Sequence, residues 1–348
     1  MYDIRSFILF SLVIMDKVDK KKKAILEILQ SENRPISSTS IAQALAYADM
    51  DVSERAVRMY LQELDNEGFT KPVGRQGRVL TSYGKEQLHD LQALQRVGYM
   101  SSKIDQMIYR MTFDLAKRTG KVIVNVSLVD PHIFAGCVRE ICDVFACGYS
   151  MGTLVCLLGP GERAGDVSVP YDKIGFCTVC TITLNGVLLK YGVPMQSRFA
   201  GLLRFENHQP VRFTEIIHYD GISLDPLELF IRAGLTDFRS AVRHGDGIVG
   251  AGFRETPAES RPKVEEIGNQ MKAIGLGSYI LVGRPNQSLL GIPVDDGRIG
   301  VVTVGGLNPV AVLAEKGFHV FSRALSGLLD YEKLYPYNQL PEKIKMYL

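Results

Sequence analysis

SERAVRMYLQELDNEGFTKPVGRQGRVLTSYGKE, from Ser53 to Glu86, decides the N-terminal fold. Ser53 can cap a helix whose inner stripe is Val57, Tyr60, Leu61 and Leu64 and whose end is Gly68. Phe69 to Thr81 then reads as two short strands joined by Gly74-Arg75-Gln76-Gly77. Upstream, Lys20 to Ser31 carries an apolar stripe of Ala24, Ile25, Ile28 and Leu29. Ser37 or Ser38 caps a second helix, with Ile41, Ala42 and Leu45 facing inward. Three helices and a basic hairpin make the winged helix-turn-helix order.

The charges of this stretch point to a polyanion. From Phe69 to Lys85 stand Lys71, Arg75, Arg78 and Lys85 and no acid, in a chain of 348 residues whose net charge is only +2. With its apolar stripe buried, the third helix turns Glu54, Arg55, Arg58, Met59 and Gln62 outward behind Ser53. Arginine and glutamine near a helix N-terminus can reach base edges and phosphates in a major groove. Arg75, Gln76 and Arg78 sit on a glycine-flanked wing, where the backbone can approach a phosphate or the minor groove. The acids Glu63, Asp65 and Glu67 lie farther along the helix, facing away from a duplex. The competing reading is a winged helix used for protein contacts, its arginines merely solvated.

Ahead of this domain, Ile4 to Met15 is mostly apolar but short of the roughly 20 residues of a membrane helix. Its main charge, Lys17 and Lys20 to Lys23, follows the apolar stretch, the reverse of a secretory signal. We read Met15 as the natural start and residues 1–15 as an extension, with the winged helix at 16–98 in a cytoplasmic, membrane-free chain. Lys85 to Val97 continues as a fourth helix. A linker helix at 99–119 carries Ile104, Met107, Ile108, Met111 and Leu115 at three-four spacing. That stripe either packs on its own effector domain or forms a dimer seam, since a reader of two-fold sites must dimerise somewhere.

Residues 120–340 change character to apolar strands broken by glycine and proline, so the whole chain is α+β with a larger α/β effector domain. Val122–Leu128 and Thr153–Leu158 read as strands, Ile133–Cys147 as a helix, and the stretch to Tyr191 as hairpin turning at Asn185-Gly186. All six cysteines fall between Cys137 and Cys180. Cys177 and Cys180 lie three apart on a strand and diverge, as do Cys137, Cys142 and Cys147 on a helix. They read as reduced, buried hydrophobes rather than a metal site. The six histidines are scattered without metal-ligand spacing.

Two enzyme-like motifs fail in context. GYSMG, 148–152, follows a helix and precedes a strand, the reverse of a nucleophile elbow. GDGIVG, 245–250, follows helical sequence and leads into a strand, the wrong setting for a dinucleotide turn. A weak internal repeat is also present. Gly192-Val193-Pro194 followed by Arg198 matches Gly291-Ile292-Pro293 followed by Arg298. Downstream, Asp225-Pro226 and Asn308-Pro309 each open an apolar helix. Two copies of one unit imply a pseudo-two-fold domain with a ligand cleft between its halves.

The winged-helix stretch, followed by GISLDPLELFI and VGGLNPVAVLAEKG, resembles the NrpR family, archaeal repressors of nitrogen-assimilation genes, over about Lys20 to Leu340. The resemblance implies 2-oxoglutarate as the inducer that releases operator DNA, and no cofactor. Some family members carry two effector domains where this chain carries one, leaving room for a paralogous partner. Its expected partners are double-stranded operator DNA, a second copy of itself, and a paralogous repressor or the transcription machinery. A dicarboxylate calls for cationic donors, and arginine offers a bidentate fork. The repeat places Arg198 and Arg298 at nearly equivalent points, with Arg239, Arg243 and Arg254 as further candidates. The rival function is a winged-helix protein whose C-terminal domain is an enzyme acting on a nitrogen or cofactor metabolite.

Overall fold

Val57, Leu61 and Leu64, three of the residues read as the inner stripe of the third helix, are fully buried. They sit on α3 (Glu54–Asn66), packed against α1 (Lys20–Glu32) and α2 (Ser38–Tyr47) over a core with Ile25, Leu26, Ile41 and Leu45. A computed structural model describes residues 20–32, 34–47, 50–74, 76–85, 88, 99–220, 222, 224–318 and 320–348. Ser53 has extended backbone and its hydroxyl accepts the Ala56 N–H at 3.3 Å, capping α3. Gly68 ends it at φ +80°, a left-handed turn that favours glycine. β1 (Thr70–Pro72) and β2 (Arg78–Leu80) form the antiparallel wing, and Ile36 bridges to Arg78 beside them. Lys22 clasps α1 to α3 by reaching Glu63 at 2.8 Å and Glu67 at 3.1 Å. The fourth helix read at Lys85–Val97 lies mostly outside the described residues.

The chain divides into two compact units, 1–96 and 97–348. The second opens with α4 (Tyr99–Arg110), which ends nine residues before the expected 119. Ile104, Met107, Met111 and Leu115 of the apolar stripe are buried in the core of this unit, and Ile108 is half-buried against it. Of the two readings of that stripe, packing on its own domain is the one observed.

Two five-stranded sheets carry the rest. The first half runs β3 (Lys121–Val129), α5 (Pro131–Ala146), β4 (Leu154–Leu158), a small β5–β6 hairpin (Arg163–Ala164, Val167–Ser168), β7 (Ile174–Val179) and α6 (Ile182–Lys190). β8 (Gln196–Glu206) and β9 (Gln209–His218) follow, then α7 (Pro226–Arg232) and α8 (Phe238–His244). The second half runs β10 (Gly247–Pro257), α9 (Arg261–Ala273), β11 (Leu281–Val282), β12 (Arg298–Val304) and α10 (Asn308–Glu315). β13 (Phe321–Asp330) and β14 (Tyr335–Pro336) close the chain's sheets. The sheet orders are β13-β3-β7-β4-β14 and β11-β12-β10-β8-β9.

This is a duplication with exchanged strands. β3-β7-β4 and β10-β12-β11 have the same antiparallel pairing, with a helix after the first strand and another after the last. β8, which follows α6, pairs with β10 of the second half, and β13, which follows α10, pairs with β3 of the first. KIGFCTV, 173–179, therefore corresponds to RIGVVTV, 298–304. The sequence match that set Arg198 against Arg298 is corrected: they lie on β8 and β12, which flank β10 in one sheet, and Arg298 corresponds to Lys173.

The hairpin read at Asn185-Gly186 is also corrected, because these residues lie in α6. Every position from Ile182 to Leu188 is buried, so the helix shows no polar face to betray its period. Gly186 lets the end of the Met111 side chain lie against α6, since a Cβ would stand 2.6 Å from its methyl carbon.

Candidate functional site

On the winged helix, Arg55, Arg58, Met59 and Gln62 are exposed along one face of α3, with Glu54 half-buried beside them. Arg58 is held at the helix start, its Nη2 2.6 Å from Glu54 Oε1 and its Nε 3.3 Å from Ser38 Oγ. That Arg58 contact, helped by the Thr39 and Ser38 hydroxyls, draws the Glu54 carboxyl below its ordinary pKa. Ser53 is committed to its cap. Arg78 is held in an ion pair with Asp65 at 2.7 Å, so it braces the wing. Gln76 is exposed at the tip, and Arg75 lies outside the described residues. The acids read as facing away from a duplex are used internally, Glu63 and Glu67 by Lys22 and Asp65 by Arg78 and Thr70.

In the second unit the five candidate arginines separate. Arg198 meets Asp295 at 2.8 Å and the buried Glu255 at 3.4 Å, and Arg298 also acts on Glu255. The structure thus brings Arg198 and Arg298 together around a carboxylate the protein already owns. Arg198 forms one wall of an open cleft of about 530 Å³ with His218, Asp220 and Asp105. Arg239 and Arg243 are exposed on α8, where Glu315 accepts the N–H groups of Phe238 and Arg239.

Arg254 differs from all of these. It is 1% exposed, and its hydrogen-bond acceptors are the neutral oxygens of Asn185, Thr181 and Thr303. Burial pulls its pKa below the ordinary arginine value, with Tyr219, Cys180 and Asp225 acting against that pull. A buried guanidinium with neutral partners favours an anion. Its partner Thr181 lines a small cavity of about 20 Å³, room for about one water molecule. Its walls include Thr181 at the opening of α6 and Gly306-Leu307 at the opening of α10. Two helix starts, equivalent under the duplication, thus meet at one space, and each contributes partial positive charge.

Acids and a lysine complete the surroundings. Asp225 caps α7 by accepting the Leu227 N–H, and burial pushes its carboxyl up to about 6. Glu228 accepts the Ala324 N–H, and burial, with Asp225 nearby, pushes it up to about 7. Lys103 on α4 donates to the Ala324 carbonyl at 3.3 Å, and burial lowers its pKa. Ala324 and Leu325 belong to an irregular step in β13. Leu325 has φ +50°, which costs about 1 kcal/mol for a residue with a side chain, and its N–H reaches Asn125 Oδ1.

Residues 97–336 match the family described as NrpR regulatory domains NRD1 and 2. The chain belongs to the NrpR family. Residues 23–88 match a ribonuclease R winged-helix domain. The chain is 32% identical over 318 residues to the global nitrogen regulator NrpRI of Methanosarcina mazei, covering 91% of this chain and 98% of that protein. It is 32% identical to the global nitrogen regulator NrpR of Methanococcus maripaludis and 31% to that of Methanocaldococcus jannaschii. The matches cover 89% and 96% of this chain but 54% and 58% of those longer proteins. A crystal structure of a nitrogen repressor-like protein from Methanococcus jannaschii is similar at 29% identity and a TM-score of 0.55, over 68% of this chain and 97% of that one.

In this NrpR chain each enzyme-like motif sits between a helix and the strand that follows it. GYSMG joins α5 to β4, with Ser150 buried, and GDGIVG leads from α8 into β10. The cysteines are free thiols, and burial raises the pKa of Cys142, Cys156 and Cys180 to about 11. Among the described residues no group of three or more His, Cys, Asp or Glu could hold a metal, and no helix is long and apolar enough to cross a membrane. Sequence reasoning missed Asn125, Thr181 and Tyr219 at the cavity and Lys103 behind its Ala324 wall, and read Asp225 only as a cap. The pairing of KIGFCTV with RIGVVTV could have pointed to both helix starts.

Proposed function

We propose that this chain is a transcriptional repressor of nitrogen-assimilation genes that holds operator DNA with α3 and the wing and releases it when 2-oxoglutarate enters the cavity beside Arg254. The observation that carries the reading is the buried Arg254 with neutral partners, one of which, Thr181, lines the space where two helix starts meet. The names of its relatives, global nitrogen regulators, support the nitrogen assignment. Arg254 would hold one carboxylate and Lys103 the other, with Thr181 and Asn125 offering hydrogen bonds. The present space is far smaller than a five-carbon diacid, so entry displaces a wall. Ile104 puts α4 on that wall, Lys103 of α4 donates to Ala324 of the same wall, and α4 is the first described helix of the second unit. The ligand thereby prefers one conformation over another, which regulation requires. The domain on this reading senses rather than catalyses, and it acts as a dimer of identical chains or beside a paralogue.

Fluorescence anisotropy with the chain's own promoter, with and without 2-oxoglutarate, tests the proposal. A fall of about 100-fold in operator affinity is expected, equivalent to about 2.7 kcal/mol of coupling. Arg58→Ala should relax base preference by about 1–3 kcal/mol, and Arg75→Ala should weaken all sequences alike. Specific binding unchanged in both variants would remove the assigned DNA face. Calorimetry without DNA checks the effector separately: no heat from 2-oxoglutarate would remove it.

A further inference from the structure

We infer that the outer edge of β9 is a two-fold seam between two copies of this chain. The inference rests on the reading of the repressor as a dimer and gives that dimer its contact. β9 ends its sheet, and among the described residues no strand pairs with its outer side. Val211 and Ile216 on it are 40% and 42% exposed. Arg212 and Glu215 are exposed, and among the described residues neither has a charged partner.

The four residues form a self-complementary pattern. Pairing two β9 strands antiparallel about an axis between Phe213 and Thr214 sets Arg212 of each copy opposite Glu215 of the other. The same register sets Val211 opposite Ile216. Two ion pairs and two apolar pairs form at once, as an isologous interface demands. A slip of one residue loses both sets. Pro210 has no N–H to give and bounds the seam at one end. Val211 and Thr214 are extra residues that interrupt the register with β8, so the seam is a short side-chain contact over 211–216 rather than an extended ladder. The α4 stripe is already buried in its own domain and cannot serve instead.

Sedimentation equilibrium of the full chain tests the seam. The parent should dimerise, and β9 amides should exchange more slowly at high protein concentration than at low. Arg212→Glu and Glu215→Arg should each weaken the dimer at least about ten-fold, with unchanged melting. An equimolar mixture of these two variants should regain parental affinity, because each copy's reversed charge then meets its opposite. The double variant carrying both changes should regain it too. Single variants that dimerise like the parent, or a mixture that fails to recover, would overturn the seam and leave the dimer standing. A parent that stays monomeric would overturn both.

Discussion

The two halves of the effector domain follow one chain path and differ where they open their last helices. In the first, Val179 leads through Cys180-Thr181 into α6, and Thr181 accepts a hydrogen bond from Arg254. In the second, Val304 leads through Gly305-Gly306 into α10, and neither glycine has room for a side chain. The register Val124–Val179 and Ala251–Val304 makes Asn125 of β3 the counterpart of Gly252 of β10. A Cβ at Gly252 would stand 2.8 Å from the Arg254 guanidinium, so the missing side chain is where Arg254 lies. Duplication supplies the frame, and the site comes from unequal side chains at equivalent points. One half keeps its polar groups while the other clears space for them.

Copying the first half's residue into the second is the most severe way to break that comparison. Gly306→Thr would place a Cβ 2.1 Å from the Val179 carbonyl oxygen and 2.6 Å from Asn125 Nδ2. We expect a loss of about 4 kcal/mol, the level of a badly overpacked core. Thr181→Gly, the reverse copy, should cost about 2 kcal/mol, the level of a lost acceptor to a buried guanidinium. Thermal unfolding that ranks the two equally would mean the glycines are not clearing space.

The helix openings Asp225-Pro226 and Asn308-Pro309 look alike in sequence and work differently. Asp225 caps its helix by its carboxylate, whereas Asn308 donates from Nδ2 to the carbonyls of Tyr149 and Gly250, each at 2.8 Å. Asn308→Asp would replace a buried donor with an acceptor facing two carbonyl oxygens and should cost about 3 kcal/mol. Asp225→Asn keeps an acceptor for the cap and should cost less than about 1 kcal/mol. Chemical denaturation of the pair measures both, and equal losses would dissolve the distinction.

Next in size is the contrast between Arg254 and Arg198. Arg254→Met should weaken 2-oxoglutarate about 100-fold, near 2.7 kcal/mol, while operator binding without effector stays parental. Arg198→Met should change effector affinity by only a few-fold, because Glu255 and Asp295 already hold that guanidinium. The reverse outcome in calorimetry would move the effector to the open cleft beside Arg198.

The winged helix was legible from sequence because its signals are local. Ser53 caps three residues ahead, Gly68 stops the helix, and Val57, Leu61 and Leu64 keep a helical period. α6 was not, since a helix buried on all sides has no period to show. The cavity was less legible still. Nothing near Arg198 in sequence announces Asp295, 97 residues away, and nothing near Arg254 announces Asn185, 69 residues before it. Which arginine is already neutralised depends on strand neighbours that only the tertiary pairing supplies. The Gly-Val-Pro and Gly-Ile-Pro match also draws the eye to a false equivalence, while the true one lies in two seven-residue stretches, 173–179 and 298–304.

The smallest effect concerns residues that belong to neither half. Glu228 lies on α7 and Asp225 caps it, in the connection between the halves, so the duplication provides no counterpart for them. Glu228 is held near 7 in the folded chain, above the ordinary glutamate value of 4.5, chiefly by burial. A carboxyl raised in this way binds its proton more tightly when folded than when unfolded. Its contribution to stability is therefore complete below about pH 4.5 and is lost as pH rises through 7. Between pH 5 and 8 the parent should lose about 2 kcal/mol by this route, since each tenfold gain in proton affinity on folding is worth about 1.4 kcal/mol. Glu228→Gln keeps the shape and cannot ionise, so its stability should be flatter over that range. If both curves run parallel, burial is not holding the proton. The same substitution bears on sensing, because an ionised Glu228 beside the cavity repels a dicarboxylate. The parent should bind 2-oxoglutarate more tightly at pH 6 than at pH 8, and Glu228→Gln should remove most of that dependence. A variant that keeps the full pH dependence would place its source in the pair's other member, Asp225.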